Sequence, residues 1–474
     1  MGKPNASKKK GQLSWIELAL LGLGFTTGVG FFLGSSIAIE KAGFGVLLLF
    51  FLAAVGTYLV YNALAKMISQ YPGKGTFKDY SKAAFGHWAG FCHGYIYWLS
   101  EMLVLGSTLT ALGLFTKFWF KEVPLWIFAG GYALLGIGVV LLGRKGFEKV
   151  ENVLAVLKMT ALLAFIVLGF LTVTGVLGKA NAHMHTPDSV NEFFRHGAMG
   201  MWTAFIFAFF AFAGIEVMGL MATNLKNPKD APKSGTLMLA VITVLYLGGL
   251  GFALVMAHPK DFGANESPFI SAFKDVHYET SINIFNGVLI AAGFSSLVAS
   301  LFSTSQVMVQ IAKTGDAPKL FAKASKRNIP YPSLALTACG MGLSVLAALL
   351  LPKSVFEYIV TAGGLMLVYS WLFMVAAAMK LLKLSVWGKT AAVMAMALIL
   401  IATIGTLFDK ASRPGFFFSL GLLLAIGAVA FFMRNRWKKQ GGGGSGQASR
   451  ATEEDEDEDK IDHKVPFRQK DKAF

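Results

Sequence analysis

Charge is scarce in this sequence: charged residues make up 15% of the 474 residues, against about 25% in a typical soluble domain. Hydrophobic residues make up 55% and occur in long blocks separated by short charged stretches. Each block is about 20 residues or longer, the length that a helix needs to cross the hydrocarbon core of a bilayer. This pattern excludes a single large globular core and predicts a chain embedded in a lipid bilayer.

Cysteine is also nearly absent. The two cysteines, Cys92 and Cys339, lie far apart in apolar segments, without the spacing of a metal site or a disulfide framework. The sequence contains no Walker loop, no zinc-ligand spacing and no plausible Ser/His/Asp set. We therefore expect no enzyme activity, no cofactor and no metal.

The apolar blocks predict an all-α membrane protein with twelve transmembrane helices. The predicted spans are residues 14–40, 43–70, 86–116, 124–143, 152–178, 197–225, 234–257, 280–313, 334–351, 355–380, 389–408 and 414–433. We expect a cytoplasmic N-terminal segment at 1–13, a transporter domain at 14–436 and a cytoplasmic tail at 437–474. The tail contains a glycine-rich linker and an unbroken acidic run at 453–459, a composition typical of disorder.

The basic residues orient these spans. With the N-terminus inside, 26 of the 43 Lys and Arg residues fall in inside segments and 10 in outside segments. Cytoplasmic loops of membrane proteins carry such an excess. We therefore place both termini in the cytoplasm and the chain in the plasma membrane. The net charge of +16 is mostly this topology signal, so we expect no nucleic-acid partner.

Small residues interrupt two of the predicted spans, the first near Gly28 and Gly30 and the sixth near Gly214. These spans hold corresponding places in two five-helix repeats, at about 14–178 and 197–380, with two further helices after them. Matched interruptions of this kind are typical of a transporter site at an inverted-repeat interface. The alternative is that the glycines only allow close helix packing.

A site built from two interrupted helices suits a zwitterion. The N–H groups and positive dipole end of the half-helix that begins at Gly28–Gly30 suit a carboxylate. Carbonyl groups at 212–215 are free to accept hydrogen bonds from an ammonium group. The candidate substrate-binding residues are Thr27, Gly28, Val29, Gly30, Phe212, Ala213, Gly214 and Ile215.

Two ionisable residues lie within predicted spans near this site. Lys158 is mid-span and too deep to reach the interface easily, which makes it a candidate for proton coupling. The alternative is a structural lysine bonded to a carbonyl of an interrupted helix. Glu216 has three open interpretations: contact with the substrate ammonium, proton coupling, or bracing of the interrupted sixth helix. For Glu101, in the third span, a packing or water-contact role is favoured.

Other candidates have a functional and a structural interpretation. Phe212 is either an aromatic gate over the substrate or a packing residue. The hydroxyl groups along the eighth span either bind sodium together with carbonyls of the first span or bond to their own helix; they belong to Ser295, Ser296, Ser300, Ser303, Thr304 and Ser305. An ammonium group from Lys158 can replace a sodium ion there.

Three segments together resemble a known family. Residues 27–35 read TGVGFFLGS, similar to a GTGLFLGSG motif; residues 212–216 read FAGIE, followed by KNPK at 226–229; and residues 303–306 read STSQ, followed by AKTGDAP at 312–318. From about Leu13 to Arg436 the chain resembles the amino acid–polyamine–organocation permeases, in the bacterial amino acid permease branch.

The resemblance implies a leucine-transporter-like fold of five plus five inverted helices and secondary uptake of amino acids. It implies that Thr27, Gly28 and Gly30 contact the substrate carboxylate. It places residues 212–215 at the amine and Lys158 at the proton site.

The chain departs from the family pattern at four positions: Val29 replaces Thr or Ser, Thr108 replaces a third-helix Glu, Asn224 replaces Glu, and Gln306 replaces Arg. Few charges line the spans, which favours a neutral or apolar substrate. We therefore expect a proton-coupled amino acid importer. The alternatives are an exchanger, a sodium symporter, or a transporter-like nutrient sensor that signals through its acidic tail.

Overall fold

The computed structural model of the protein describes residues 13–72, 76–176, 184–275, 279–325, 329–350, 355–434 and 437. Almost all of the predicted N-terminal segment and of the acidic tail lies outside these residues. The chain divides into two compact units, Met1–Leu423 and Leu424–Phe474. Of the second unit, the structure describes the end of the last helix and Trp437.

All named secondary-structure elements in the described residues are helices. In chain order these are α1 (Trp15–Thr26), α2 (Ser35–Ala42), α3 (Val46–Gln70), α4 (Phe77–Phe85), α5 (His87–Lys117), α6 (Leu125–Leu141), α7 (Arg144–Val173), α8 (Val190–Phe193), α9 (Gly197–Phe210), α10 (Ile215–Met221), α11 (Ala231–Met256), α12 (Pro268–Asp275), α13 (Glu279–Lys313), α14 (Tyr331–Leu350), α15 (Val355–Leu381), α16 (Val386–Gly405) and α17 (Arg413–Arg434). No strand forms among the described residues, which contain a single isolated bridge between Leu13 and Leu225.

Ten helical segments in the described part of the chain are long and apolar enough to cross a membrane. They are Gly30–Gln70, His87–Lys117, Val156–Val173, Val190–Asn224, Pro228–Met256, Thr280–Lys313, Tyr331–Leu350, Val355–Leu381, Val386–Gly405 and Arg413–Arg434. Two further apolar helices, α1 and α6, have 12 and 17 residues, fewer than the roughly 20 that span a bilayer. The structure confirms an all-helical, multi-pass architecture, and the count of twelve spans stays a prediction.

A capping box fixes the beginning of α1. The Glu17 amide donates to the Ser14 hydroxyl (3.2 Å), and the Ser14 amide donates to the Glu17 carboxylate (2.7 Å), so two amide groups at the helix end gain partners. Just before this cap, the Leu13 amide donates to the Asn224 carbonyl at 3.1 Å. The start of α1 is thereby attached to the segment that follows α10.

The long helix α5 lies at the centre of the molecule and packs mainly against α13 and α15. The peripheral helices α6, α7 and α14 expose large apolar side chains, including Leu134 (73% exposed) and Leu343 (69% exposed). Water-exposed apolar surface on this scale is unusual in soluble monomers, whereas a lipid environment accommodates it. Helices α5 and α15, in contrast, are the most enclosed by other helices, so they are the best placed to line an internal site.

A short helix that sequence patterns did not predict, α4, packs against α5 and α15. The fully buried His93 of α5 lies between two hydroxyl groups, with Ser81 Oγ 2.7 Å from Nδ1 and Ser370 Oγ 2.9 Å from Nε2. One imidazole therefore joins α4, α5 and α15.

Candidate functional site

Regular helical structure stops at Thr26 and resumes three residues later. Thr27 has an extended backbone (φ −76°, ψ 94°), and a π-helical turn, Gly30–Gly34, then leads into α2. The first carbonyl to accept a bond in the new helix belongs to Gly28, which receives the amides of Phe31 (3.0 Å) and Phe32 (3.1 Å). The amides of residues 28–30 precede these donors, so they form the positive end of the second half-helix.

A second interruption lies between α9 and α10. Helix α9 ends at Phe210, Gly214 has φ +115°, and α10 begins at Ile215. A positive φ of this size is easily adopted only by glycine. The sequence places a glycine where the chain needs this conformation.

The two interrupted segments pack directly on each other. A Cβ atom on Gly30 would lie 2.7 Å from the Phe210 carbonyl oxygen, and one on Gly214 would lie 3.1 Å from the Phe25 carbonyl oxygen. Glycine is therefore required at both positions for the two backbones to approach so closely. The contact is reciprocal, because each glycine faces the other segment's backbone.

Tyr246 of α11 bridges the two interruptions. Its hydroxyl oxygen lies 3.1 Å from the carbonyl oxygens of both Thr26 and Ala211. The Tyr246 ring stacks on Phe31, with 3.7 Å between centroids and 4° between planes. Both helix ends thus share one buried hydroxyl partner.

A cavity of about 60 Å³ lies beside the interruptions. Its lining residues are Phe25, Thr26, Gly28, Val29, Gly30, Glu101, Val104, Ser107, Thr108, Lys158, Phe210, Ala213, Gly214, Val217, Ser296, Ala299, Ser300 and Ser303. Six of the ten residues predicted from the sequence for substrate binding or proton coupling are among them: Gly28, Val29, Gly30, Ala213, Gly214 and Lys158.

The other four predicted residues, Thr27, Phe212, Ile215 and Glu216, are buried beside the cavity without lining it. The Phe212 ring packs on Phe50 (6.2 Å) and Tyr246 (5.3 Å between centroids). The aromatic rings that do line the cavity belong to Phe25 and Phe210.

Glu216 is bonded on both sides of its carboxylate. One oxygen accepts the Gly214 amide at 3.0 Å, and the other accepts the indole N–H of Trp371 from α15. The carboxylate is fully buried. These contacts join the interruption at Gly214 to α15, as the bracing interpretation of Glu216 requires.

Lys158 lies on α7 with a side chain that is 1% exposed. Its amine donates a hydrogen bond to Ser295 of α13, with 3.1 Å between Nζ and Oγ. Several neighbouring hydroxyls on α13 bond to their own helix: Ser296 to Ala292, Thr304 to Ser300 and Ser305 to Leu301. The amine therefore reaches a hydroxyl that had been a candidate sodium ligand.

Sequence patterns did not identify the face of α5 that lines the cavity. Its members, Glu101, Val104, Ser107 and Thr108, recur at helical spacing, as do Ser296, Ala299, Ser300 and Ser303 on α13. Residues three or four apart share one side of a helix, and this spacing is the signal in the sequence that could have found the α5 face; the hydroxyls of the α13 face were already candidates for a sodium site.

Within the described residues, no group of three or more His, Cys, Asp or Glu side chains is arranged to hold a metal ion. The polar groups at the cavity are backbone amides and carbonyls, hydroxyls, one amine and one carboxylate. These groups suit a small polar molecule held by hydrogen bonds.

The long apolar helices define the class: a multi-pass membrane protein, with a cavity beside its two interrupted helices. More particularly, the chain belongs to the amino acid permease family, whose family model, described as "Amino acid permease", matches residues 17–441.

Individual relatives agree with this membership. An uncharacterized transporter, YcgH, of Bacillus subtilis is 49% identical over 441 residues, covering 93% of this chain and 98% of the relative. An uncharacterized amino acid permease, YtnA, of the same organism is 30% identical, covering 75% and 77%. The aromatic amino acid transport protein AroP of Escherichia coli K12 is 28% identical, covering 80% and 83%. Membership and relatives both support amino acid transport.

Proposed function

We propose that this protein is a secondary active transporter that takes up a neutral or apolar amino acid together with a proton across the plasma membrane. Its family supports the amino acid as the transported molecule. The coupling to a proton rests on one observation: the buried amine of Lys158 lines the same cavity as Gly28, Val29 and Gly30.

The proposed architecture has twelve spans, with α1 and α6 completing the ten longer ones. Residues 14–178 and 197–380 form two inverted five-helix repeats, and two further helices follow. Residues 1–13 and 437–474 lie in the cytoplasm, as the bias of Lys and Arg favours. The interruptions after α1 and α9 then occupy equivalent places in the two repeats, which is where such transporters bind substrate.

In the proposed pose, the substrate carboxylate lies at the amides of residues 28–30, with Thr27 and Val29 shaping that turn. The amides there precede the first intrahelical donor, so they offer hydrogen bonds and a positive dipole end. The substrate ammonium lies against the carbonyls of residues 212–215. Ala213 and Gly214 line the cavity, and glycine allows the closest approach.

Lys158 links protonation to binding in this proposal. A protonated amine adds a positive charge to the cavity that receives the carboxylate, whereas a neutral amine leaves only the dipole of the half-helix. Because the side chain is enclosed, this charge is poorly screened by solvent. Loss of the proton toward the cytoplasm would weaken carboxylate binding and favour release.

Purified protein in proteoliposomes tests the proposal. Under an inside-alkaline pH gradient, a panel of the standard amino acids should show accumulation of one or a few neutral members. Replacing sodium by choline at fixed pH should leave this uptake unchanged. Uptake that needs sodium would contradict proton coupling. Uptake that needs only an internal amino acid would establish an exchanger instead.

A further inference from the structure

The wall of the cavity formed by α5 carries hydrogen-bond acceptors. Ser107 Oγ donates its proton to the Val104 carbonyl at 2.9 Å, and Thr108 Oγ1 donates to the same carbonyl at 2.8 Å. A hydroxyl has one proton and two lone pairs. Since both protons are directed to the helix backbone, these two hydroxyls offer lone pairs to the cavity.

The same arrangement recurs on α13. Ser296 Oγ donates to the Ala292 carbonyl at 3.2 Å. This oxygen also lies 3.1 Å from the place where a Cβ atom on Gly28 would stand, so it faces the interruption after α1. An acceptor surface therefore extends from α5 to α13 across the cavity.

Glu101 lies beside this surface with a buried carboxyl group. It lines the cavity, is 5% exposed, and lies two helical turns from Thr108 on one face of α5. The side chains of Tyr97 and Ser300 interact with this carboxyl group. The amides of residues 28–30 and the Lys158 amine are donors, so the cavity offers both donors and acceptors.

These observations lead to a substrate class. We propose that the acceptor surface of Ser107, Thr108 and Ser296 selects a small amino acid whose side chain donates a hydrogen bond, namely a hydroxyl amino acid such as serine or threonine. This inference rests on the proposed function, since it concerns the substrate of the same cavity.

The physical basis is the cost of leaving buried acceptors without a partner. An apolar side chain such as that of valine would cover the lone pairs of Ser107 and Thr108 and supply no proton in return. Threonine has almost the same shape as valine and supplies one. Sites built to bond a substrate hydroxyl discriminate strongly against the analogue that lacks it.

Cavity size favours small donors. The volume of about 60 Å³ is well below the 300–1,000 Å³ of typical ligand pockets. Branched and small side chains, Val104, Val217 and Ala299, complete the lining. A hydroxymethyl group would need less movement of the walls than an indole or a guanidinium group.

Isothermal titration of the purified protein with two matched pairs, serine against alanine and threonine against valine, tests the inference. We expect serine and threonine to bind about tenfold or more tightly than their partners. In Thr108→Val and Ser107→Ala, which each remove an acceptor from the cavity wall, the serine-to-alanine affinity ratio should fall toward one. In the control Thr110→Val, the ratio should persist, because Thr110 is buried on the same helix, bonds to Gly106 and does not line the cavity.

Each outcome separates the two proposals. The ratio is measured within one preparation, so it does not depend on how much of a variant is folded. Equal or tighter binding of alanine and valine would overturn the inference and leave amino acid transport in place. An unchanged ratio in both cavity variants would also overturn it. Failure of every amino acid to bind to the wild-type protein would overturn the proposed function itself.

Discussion

The amine of Lys158 donates a hydrogen bond to the hydroxyl of Ser295, with 3.1 Å between Nζ and Oγ. Both side chains are almost fully buried, at 1% and 0% exposed, and they join α7 to α13. The hydroxyls of α13 were also candidates for a sodium site. An ammonium group in contact with Ser295 would compete with a cation there, which is why a proton is the favoured coupling ion.

Replacing Lys158 by methionine tests that assignment. Lys158→Met keeps most of the apolar stem and removes the amine. We expect uptake driven by a pH gradient to fall about tenfold, equivalent to roughly 1.4 kcal/mol, because protonation can no longer change the charge of the cavity. Exchange of labelled for unlabelled amino acid should persist. Proteoliposome uptake with and without the gradient measures both activities.

The matched control is Lys233→Met, since Lys233 is 68% exposed and forms a surface ion pair with Asp230 at 3.2 Å. This variant should behave like the wild type. Uptake by Lys158→Met that still accelerates on acidification would show that the amine does not carry the coupling proton.

A methyl group on Gly30 should disrupt the contact between the two interrupted helices. The new Cβ atom would lie 2.7 Å from the Phe210 carbonyl oxygen, and forced overpacking costs about 1–3 kcal/mol. We expect Gly30→Ala to lower the melting temperature in detergent and to abolish substrate-induced stabilisation. Gly131→Ala is the control, because nothing lies within 4 Å of its Cβ position. Alanine there should leave stability unchanged or raise it by up to about 1 kcal/mol.

Much of the fold could be predicted because the bilayer imposes a length on each helix. The eighth predicted span, 280–313, coincides with α13 (Glu279–Lys313) to within one residue. The glycines that mark the interruptions were visible because glycine weakens a helix. Depth along a span was enough to single out Lys158, which does line the cavity.

Side-chain direction at the interruptions could not be predicted. Helical periodicity fails where the helix stops, so the sequence could not show that Phe212 packs on Tyr246 while Phe210 lines the cavity. The sequence predicts separate spans at 14–40 and 43–70, and in the structure α2 is joined to α3 by the short 3₁₀ turn Gly43–Gly45. The sequence does not place Glu101 at the site, because only the packing of α5 against α13 shows which face of α5 it occupies.

The indole of Trp371 is expected to stabilise the segment around Glu216. Trp371→Phe keeps an aromatic ring and removes the N–H donor, so a fully buried carboxylate loses a partner. This should cost about 1–3 kcal/mol, seen as a lower melting temperature. Trp202→Phe is the control, because its N–H donates to the Ile401 carbonyl at an exposed position. An equal loss in both variants would mean that ring packing, and not the bond to Glu216, explains the effect.

Asp316 should anchor the end of α13 to α4 and α5. Its carboxylate lies 2.5 Å from His87 Nε2 and 3.8 Å from Lys78 Nζ. Burial lowers the pKa of Lys78, and the charge of Asp316 opposes that effect. In Asp316→Asn the pKa of Lys78 should fall further.

A lysine with a lower pKa in the folded state than in the unfolded state destabilises the protein. This destabilisation is largest at pH values where the lysine is charged in both states. The deficit of Asp316→Asn should therefore be full at neutral pH and shrink as the pH rises through the folded-state pKa of Lys78. Its size at neutral pH should be about 3 kcal/mol, typical of breaking a buried ion pair. Asp230→Asn, which breaks a surface pair with Lys233, should change stability by less than about 1 kcal/mol at any pH. Melting curves of both variants from pH 7 to pH 10 measure the difference, and a deficit that grows with pH would contradict the role assigned to Lys78.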